Sequence, residues 1–160
     1  MASSLHLYSG QMNPDSRLLH LPQSSRYAVS AALYLASVPA EGFHMVGKIA
    51  ARIGLSPSYL AKILQRLALK GILESRRGAK GGYRLSRPAA EFTLSEIVGA
   101  SHNMDKGEMA CMIEARACDC ETPCAMHDFV ANAEDLLWRR LDGSTLATFV
   151  ISPFKSGEKK

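Results

Sequence analysis

Four cysteines carry the most specific chemistry in this chain of 160 residues, and all of them fall between Cys111 and Cys124. Their pattern is Cys111-x6-Cys118-x-Cys120-x3-Cys124, followed by His127. Thiolates are soft donors and select zinc, copper(I) or iron–sulfur clusters over hard cations. Structural zinc sites favour two paired Cys-x2–4-Cys knuckles, which this spacing does not provide. Iron–sulfur clusters accept less regular spacing, because a loop can wrap the cluster. Clustered rather than dispersed thiols also argue against a disulfide framework and for a reducing compartment. Thr122-Pro123 predicts the start of a long helix, with Thr as the cap and Pro at the first position. Cys124 would then lie in the first turn, where the helix dipole favours a thiolate. His127, three residues on, would project from nearly the same face. The residues alone leave three readings open. They form a metal or cluster site, or a thiol–disulfide switch closing Cys111 or Cys118 onto Cys124, or no site at all, with His127 an ordinary surface histidine.

A second constellation is basic. Met45–Leu85 reads as a helix, a turn at Gly54, a second helix and a hairpin. Gly54 follows the periodic run Val46, Ile49, Ala50, Ile53 and supplies the permissive backbone of a helix end. Ser56-Pro57 starts the second helix, with Ser capping an orphan N–H and Pro at the first position. Leu60, Ile63, Leu64 and Leu67 recur at helical spacing and predict a buried face. Ser58, Lys62, Gln65 and Arg66 fall opposite, with Tyr59 at the margin, and this face holds no acid. Gly71 ends the helix. Ile72–Arg76 and Tyr83–Leu85 read as short strands, joined by the basic, glycine-rich tip Arg77-Gly-Ala-Lys-Gly-Gly82. This order is that of a winged helix-turn-helix, which places one helix in a DNA groove.

Charge is segregated accordingly. From His44 to Arg87 ten cations face one acid, Glu74, whereas Pro88 to Asp142 carries eleven acids and four cations. A basic half beside an acidic half suits a polyanion-binding head joined to a sensor or dimer half. Nothing approaches the ~20 apolar residues of a membrane span. No nucleophile–base pair or phosphate cradle is present, so the chain does not read as an enzyme.

The remaining elements position these two groups. Residues 1–20 lack the charged start and long apolar run of a secretory signal and read as a poorly ordered extension. Ser24 or Ser25 can cap an apolar scaffold helix over Arg26–Ala36. Thr93-Leu-Ser-Glu96 is a capping box ahead of a short helix at Leu94–Ser101. Residues 102–121 form the cysteine-bearing loop. Met126, Phe129, Val130, Ala133, Leu136, Leu137 and Leu141 then make a broad apolar stripe, flanked by Trp138. A terminal helix this apolar, outside a small head, reads as packing on a second chain. Ser144–Val150 closes the fold with a short turn of helix, and 151–160 is a loose tail. The organisation is therefore 1–20 extension, 21–101 winged-helix domain, 102–121 ligand loop, 122–150 dimerisation helix and closing turn, and 151–160 tail. The fold class is mainly α with a small β-hairpin wing.

Several stretches resemble the Rrf2 family of bacterial winged-helix transcription regulators. They are Ser25–Ala36, Ile49-Ala50, Leu55-Ser56, Tyr59-Leu60, Gly71-Ile-Leu, Arg77–Leu85, Thr93–Val98, and Cys118 and Cys124 with the helix beyond. The likeness fades near Val150. It implies a cytoplasmic homodimer crossed by its long C-terminal helices, and operator binding through Ser56–Lys70 and the wing. It also implies a [2Fe-2S] or [4Fe-4S] cluster on three cysteines of the loop, through which iron, redox state or nitric oxide alters DNA affinity. Cys118 and Cys124 match two of those ligands, and Cys111 matches the first one residue early. Cys120 is extra and stands as an alternative ligand. Where some members place a carboxylate ligand near the start of the first helix, this chain has Arg26. His127 falls where others place a histidine ligand, which favours a [2Fe-2S] cluster on Cys111, Cys118, Cys124 and His127. In this reading Ser56, Ser58, Tyr59 and Lys62 meet the major groove, Arg66, Arg76 and Lys80 hold phosphates, and Arg77 enters a minor groove. The alternatives are a cluster-free thiol–disulfide regulator, and a metal-binding winged helix that serves protein interaction.

Overall fold

Ala28, Ala31 and Ala32 lie fully buried along one side of the first helix, with Leu35 at its end. Small side chains there let neighbouring helices approach closely, and the chain folds around this face. The computed structural model describes residues 21–78, 81–101 and 121–150. In order these form α1 (Gln23–Ala36), α2 (Val46–Ile53), α3 (Pro57–Leu69), β1 (Leu73–Arg76), β2 (Gly82–Leu85), a 3-10 turn (Ala89–Glu91), α4 (Leu94–Ser101), α5 (His127–Asp142) and α6 (Leu146–Phe149). The mainly helical winged-helix architecture expected from the sequence is the one observed. Helix α1 touches α2, α3, α4 and α6, while α3 also packs on α2, α4 and β1.

Helix α2 ends at Gly54 in the left-handed region, φ 72° and ψ 38°, as its sequence requires. Helix α3 starts at Pro57 behind Ser56 and buries Leu60, Ile63, Leu64 and Leu67, the four predicted residues. The Ser56 side chain makes no capping bond, contrary to expectation. Its carbonyl instead accepts the first helical bond, from the Leu60 N–H at 3.1 Å. The capping box of α4 forms in full. The Thr93 N–H donates to Glu96 Oε2 at 2.9 Å, and the Glu96 N–H donates to Thr93 Oγ1 at 3.2 Å.

Two helix starts differ from the sequence reading. Helix α1 begins at Gln23, not Arg26, and Pro22 occupies its cap position. The Arg26 N–H makes the first helical bond, to the Pro22 carbonyl at 3.0 Å, so Ser24 and Ser25 lie inside the first turn rather than at the cap. Ser25 turns inward instead, and its Oγ lies 2.9 Å from Ser101 Oγ in a fully buried pair. Helix α5 begins at His127 rather than at Thr122-Pro123. The His127 N–H reaches back only three residues, to the Cys124 carbonyl at 3.0 Å, and four-residue spacing starts with Val130 N–H on the Met126 carbonyl. A proline at a helix start permits a helix without driving one. Cys124 therefore lies in the turn before α5, not in its first turn.

Helix α5 has no buried residue. Among the described residues, its C-terminal end is tied to the core. Leu141 packs there, and Asp142 Oδ1 accepts from Ser95 Oγ at 2.6 Å. The chain then stitches α6 to the start of α4. The Leu94 N–H donates to the Ser144 carbonyl and the Leu146 N–H to the Phe92 carbonyl, both at 2.9 Å, which seats Leu146 fully inside the core. Among the described residues, no helix is long and apolar enough to cross a membrane.

Candidate nucleic-acid interface

With its four leucine and isoleucine side chains buried, α3 turns Ser58, Lys62, Gln65 and Arg66 to solvent, and Ser56 is exposed at its start. The burial pattern of one face dictates this, since residues four apart stack on one side of a helix. Tyr59 is 39% exposed. Its ring stands edge-on to Tyr27 of α1 at 5.9 Å and 87°, so the scaffold helix sets the direction of this side chain. Lys62 and Arg66, one turn apart, have no ion-pair partner among the described residues.

The wing is an antiparallel pair in the register Leu73↔Leu85, Glu74↔Arg84, Ser75↔Tyr83 and Arg76↔Gly82. Leu73, Tyr83 and Leu85 pack toward the core. Burial raises the Tyr83 hydroxyl above its ordinary pKa. By alternation Glu74, Arg76 and Arg84 stand on the opposite face. Arg77 is exposed at the tip, where the Gly81 N–H closes the turn on the Gly78 carbonyl at 2.9 Å. Lys80 lies outside the described residues.

Sequence reasoning missed a third edge of the wing. His44 pairs with Tyr83 in an antiparallel bridge, with both backbone bonds made. This fastens the hairpin to the segment entering α2. The same segment places Phe43 under two guanidinium groups, Arg76 at 4.3 Å and Arg84 at 4.8 Å from the ring centroid. The pairing is too short to leave a strand signature. One apolar residue between Gly42 and His44 was its only trace.

Ion pairing thins the basic surplus counted in the sequence. Arg84 is bound to Glu74 at 2.7 Å. Arg87 pairs with Glu96 at 2.5 Å and stacks on Phe92 at 4.2 Å. The Thr93 backbone N–H holds the Glu96 carboxyl below the usual glutamate range against a desolvation that opposes it, with Arg87 assisting. Lys62, Arg66, Arg76 and Arg77 are the exposed cations left on α3 and the wing without an acid among the described residues.

Of the thiol segment, Cys124 and His127 are described, and both are half-buried. The tight turn between them sets the two side chains just ahead of and at the start of α5, where the dipole favours an anionic donor. Cys111, Cys118 and Cys120 lie outside the described residues. Arg26 is exposed to solvent.

A family model described as "Rrf2: Iron-dependent Transcriptional regulator" matches residues 21–151. This chain belongs to the Rrf2 family. Among curated relatives, the Rrf2 chain is 34% identical over 134 residues to Protein aau3 of Rhizobium meliloti strain 1021, spanning 82% of this chain and 85% of that one. It is 30% identical over 133 residues to the transcriptional regulator IscR of Cronobacter sakazakii, spanning 82% and 80%. Among solved structures, T. potens IscR matches with a TM-score of 0.62 and 26% identity over 81% of this chain and 84% of that one. CymR, the global cysteine regulator of B. subtilis, shares the fold, with a TM-score of 0.64 and 24% identity over 83% and 97%. The Rrf2 chain is a DNA-binding transcription regulator, and its relatives are regulators rather than enzymes.

Proposed function

We propose that this regulator is a cytoplasmic homodimer that reads a two-fold operator with α3 and the wing, and that an iron–sulfur cluster tunes its affinity. The observation that carries the reading is the outward face of α3. It presents hydroxyls, an amide and two cations to solvent with no acid among them, directly beside a cationic wing. Ser56, Ser58, Tyr59 and Lys62, near the helix N-terminus, reach base edges in the major groove. The uncapped Ser56 hydroxyl keeps its hydrogen-bonding capacity for that contact. Arg66, Arg76 and Lys80 hold phosphates, and Arg77 at the tip enters a minor groove.

Exposure of α5 supports the homodimer. Phe129 is 66% and Leu136 60% exposed, and they lie two helical turns apart on one stripe. An apolar stripe of this kind on a charged helix is the seam of a helix pair.

For the sensor, Cys111, Cys118, Cys124 and His127 would hold a [2Fe-2S] cluster, with Cys120 as the alternative ligand. When bound, such a group supplies a centre that changes charge with redox state and is lost when iron is scarce. The protein's own part is to join Cys124 to α5 through a three-residue turn, so the ligand segment and the dimer helix move together. A shift there changes the spacing of the two reading heads, which a palindromic operator demands. The extra thiol of Cys120 favours one competing reading, a cluster-free thiol–disulfide sensor.

The test is anaerobic purification followed by a visible spectrum and footprinting of loaded and stripped protein. Brown colour with charge-transfer bands, and a footprint that changes on stripping, support the cluster. A colourless protein whose footprint responds to diamide instead supports the thiol switch. A protein that binds no duplex in either form at low salt overturns the DNA reading.

A further inference from the structure

The outer face of the wing carries a row of side chains with one aromatic ring at its edge. The His44–Tyr83 bridge sets Phe43 opposite Arg84, and the hairpin register sets Arg84 opposite Glu74. Alternation puts all three on one face, and Arg76, two residues past Glu74, joins them. The two guanidinium carbons lie 4.3 Å and 4.8 Å from the Phe43 centroid. Glu74 Oε2 accepts from Arg84 Nε at 2.9 Å and Nη2 at 2.7 Å, so one of the two cations is held and offset. Glu74 is taken up by Arg84, and Arg76 makes no ion pair among the described residues.

A guanidinium stacked on a ring uses its flat face. Its N–H edge stays free to form a fork on a phosphate. A long side chain ordinarily loses rotamer freedom when it grips a phosphate, and stacking in advance removes that cost. We infer that Phe43 is a positioning residue for DNA binding. It holds Arg76 stacked and aimed so that the N–H edge meets a backbone phosphate, while the Arg84–Glu74 pair buttresses the ring. The inference rests on the reading that the wing touches DNA.

The experiment titrates the full-length regulator, as purified, against a fluorescein-labelled mixed-sequence duplex several helical turns long, at one low salt concentration. Phe43→Leu keeps an apolar side chain but removes the π face, and Phe43→Tyr keeps the face. Thermal melts confirm that each variant folds. Phe43→Leu is expected to weaken binding roughly two- to fivefold, the size of an exposed cation–π contact, and Phe43→Tyr to bind as the wild type does. In an Arg76→Ala background the Phe43→Leu loss should vanish, because the coupled partner is gone. An undiminished loss in that background, or a Phe43→Leu protein that binds normally while Arg76→Ala binds weakly, overturns the role of Phe43 alone. An Arg76→Ala protein with wild-type affinity overturns both the inference and the phosphate contact assigned to Arg76.

Discussion

His44 and Tyr83 exchange both of their backbone hydrogen bonds, at 2.9 Å and 3.0 Å, and so tie the wing to the chain that enters α2. Gly82 makes the junction possible. Its φ is 143°, and a Cβ there would collide with the His44 carbonyl and the Met45 nitrogen. Gly82→Ala should therefore detach or distort the wing. A loss of roughly 2–4 kcal/mol is the scale for backbone strain combined with broken packing. Thermal denaturation and duplex titration check this, and a variant unchanged in both would show that the hairpin does not depend on that junction.

The α4 capping box makes stability depend on pH. Folding lowers the Glu96 pKa, chiefly through the Thr93 backbone N–H, with Arg87 assisting against desolvation. A carboxyl with a depressed folded pKa contributes stability that is complete above its unfolded value. That stability is lost as pH falls through the folded value. Glu96→Gln should flatten this part of the acid limb in urea melts taken below the ordinary glutamate range. Thr93→Ala should cost about 1 kcal/mol at neutral pH, as removed caps generally do.

Lys62 is exposed on the α3 face and has no acid beside it among the described residues. Lys62→Ala should leave the melting temperature unchanged and weaken duplex binding. If Lys62 meets a phosphate as well as a base edge, the slope of log affinity against log salt should fall by about one. An unchanged titration at fixed salt would move the DNA-reading face elsewhere on the molecule.

Leu136 is 60% exposed in the single chain. Leu136→Glu should therefore cost the chain's own fold little and strongly disfavour a helix pair that buries this position. If the proposed homodimer forms through this stripe, sedimentation equilibrium should show Leu136→Glu as a monomer at concentrations where the wild type sediments as a dimer. A Leu136→Glu protein that stays dimeric would place the seam away from this stripe.

Local chemistry made much of this legible in the residues. The turn at Gly54, the Pro57 start, the buried face of α3, the Thr93–Glu96 box and the hairpin were readable because each depends on neighbours within a few positions. The start of α5 was misread because Thr-Pro is compatible with a helix without compelling one. The serine cap on α1 was misread because Ser25 is engaged by Ser101, far along the chain.

What the sequence determined by itself is the set of elements, their polar and apolar faces, and the uneven placement of charge. These follow from backbone periodicity and the reach of a side chain to its near neighbours. Tertiary structure alone decided which cations remain without an acid, where Phe43 lies, and that Leu141 at the far end of the α5 stripe packs on the core while Phe129 and Leu136 stay exposed. Those outcomes depend on residues brought together from distant parts of the chain. Arg84 with Glu74 spans a hairpin, and His44 with Tyr83 spans two helices. No local pattern encodes such a meeting, because the distance between two side chains is set only when the whole core has packed.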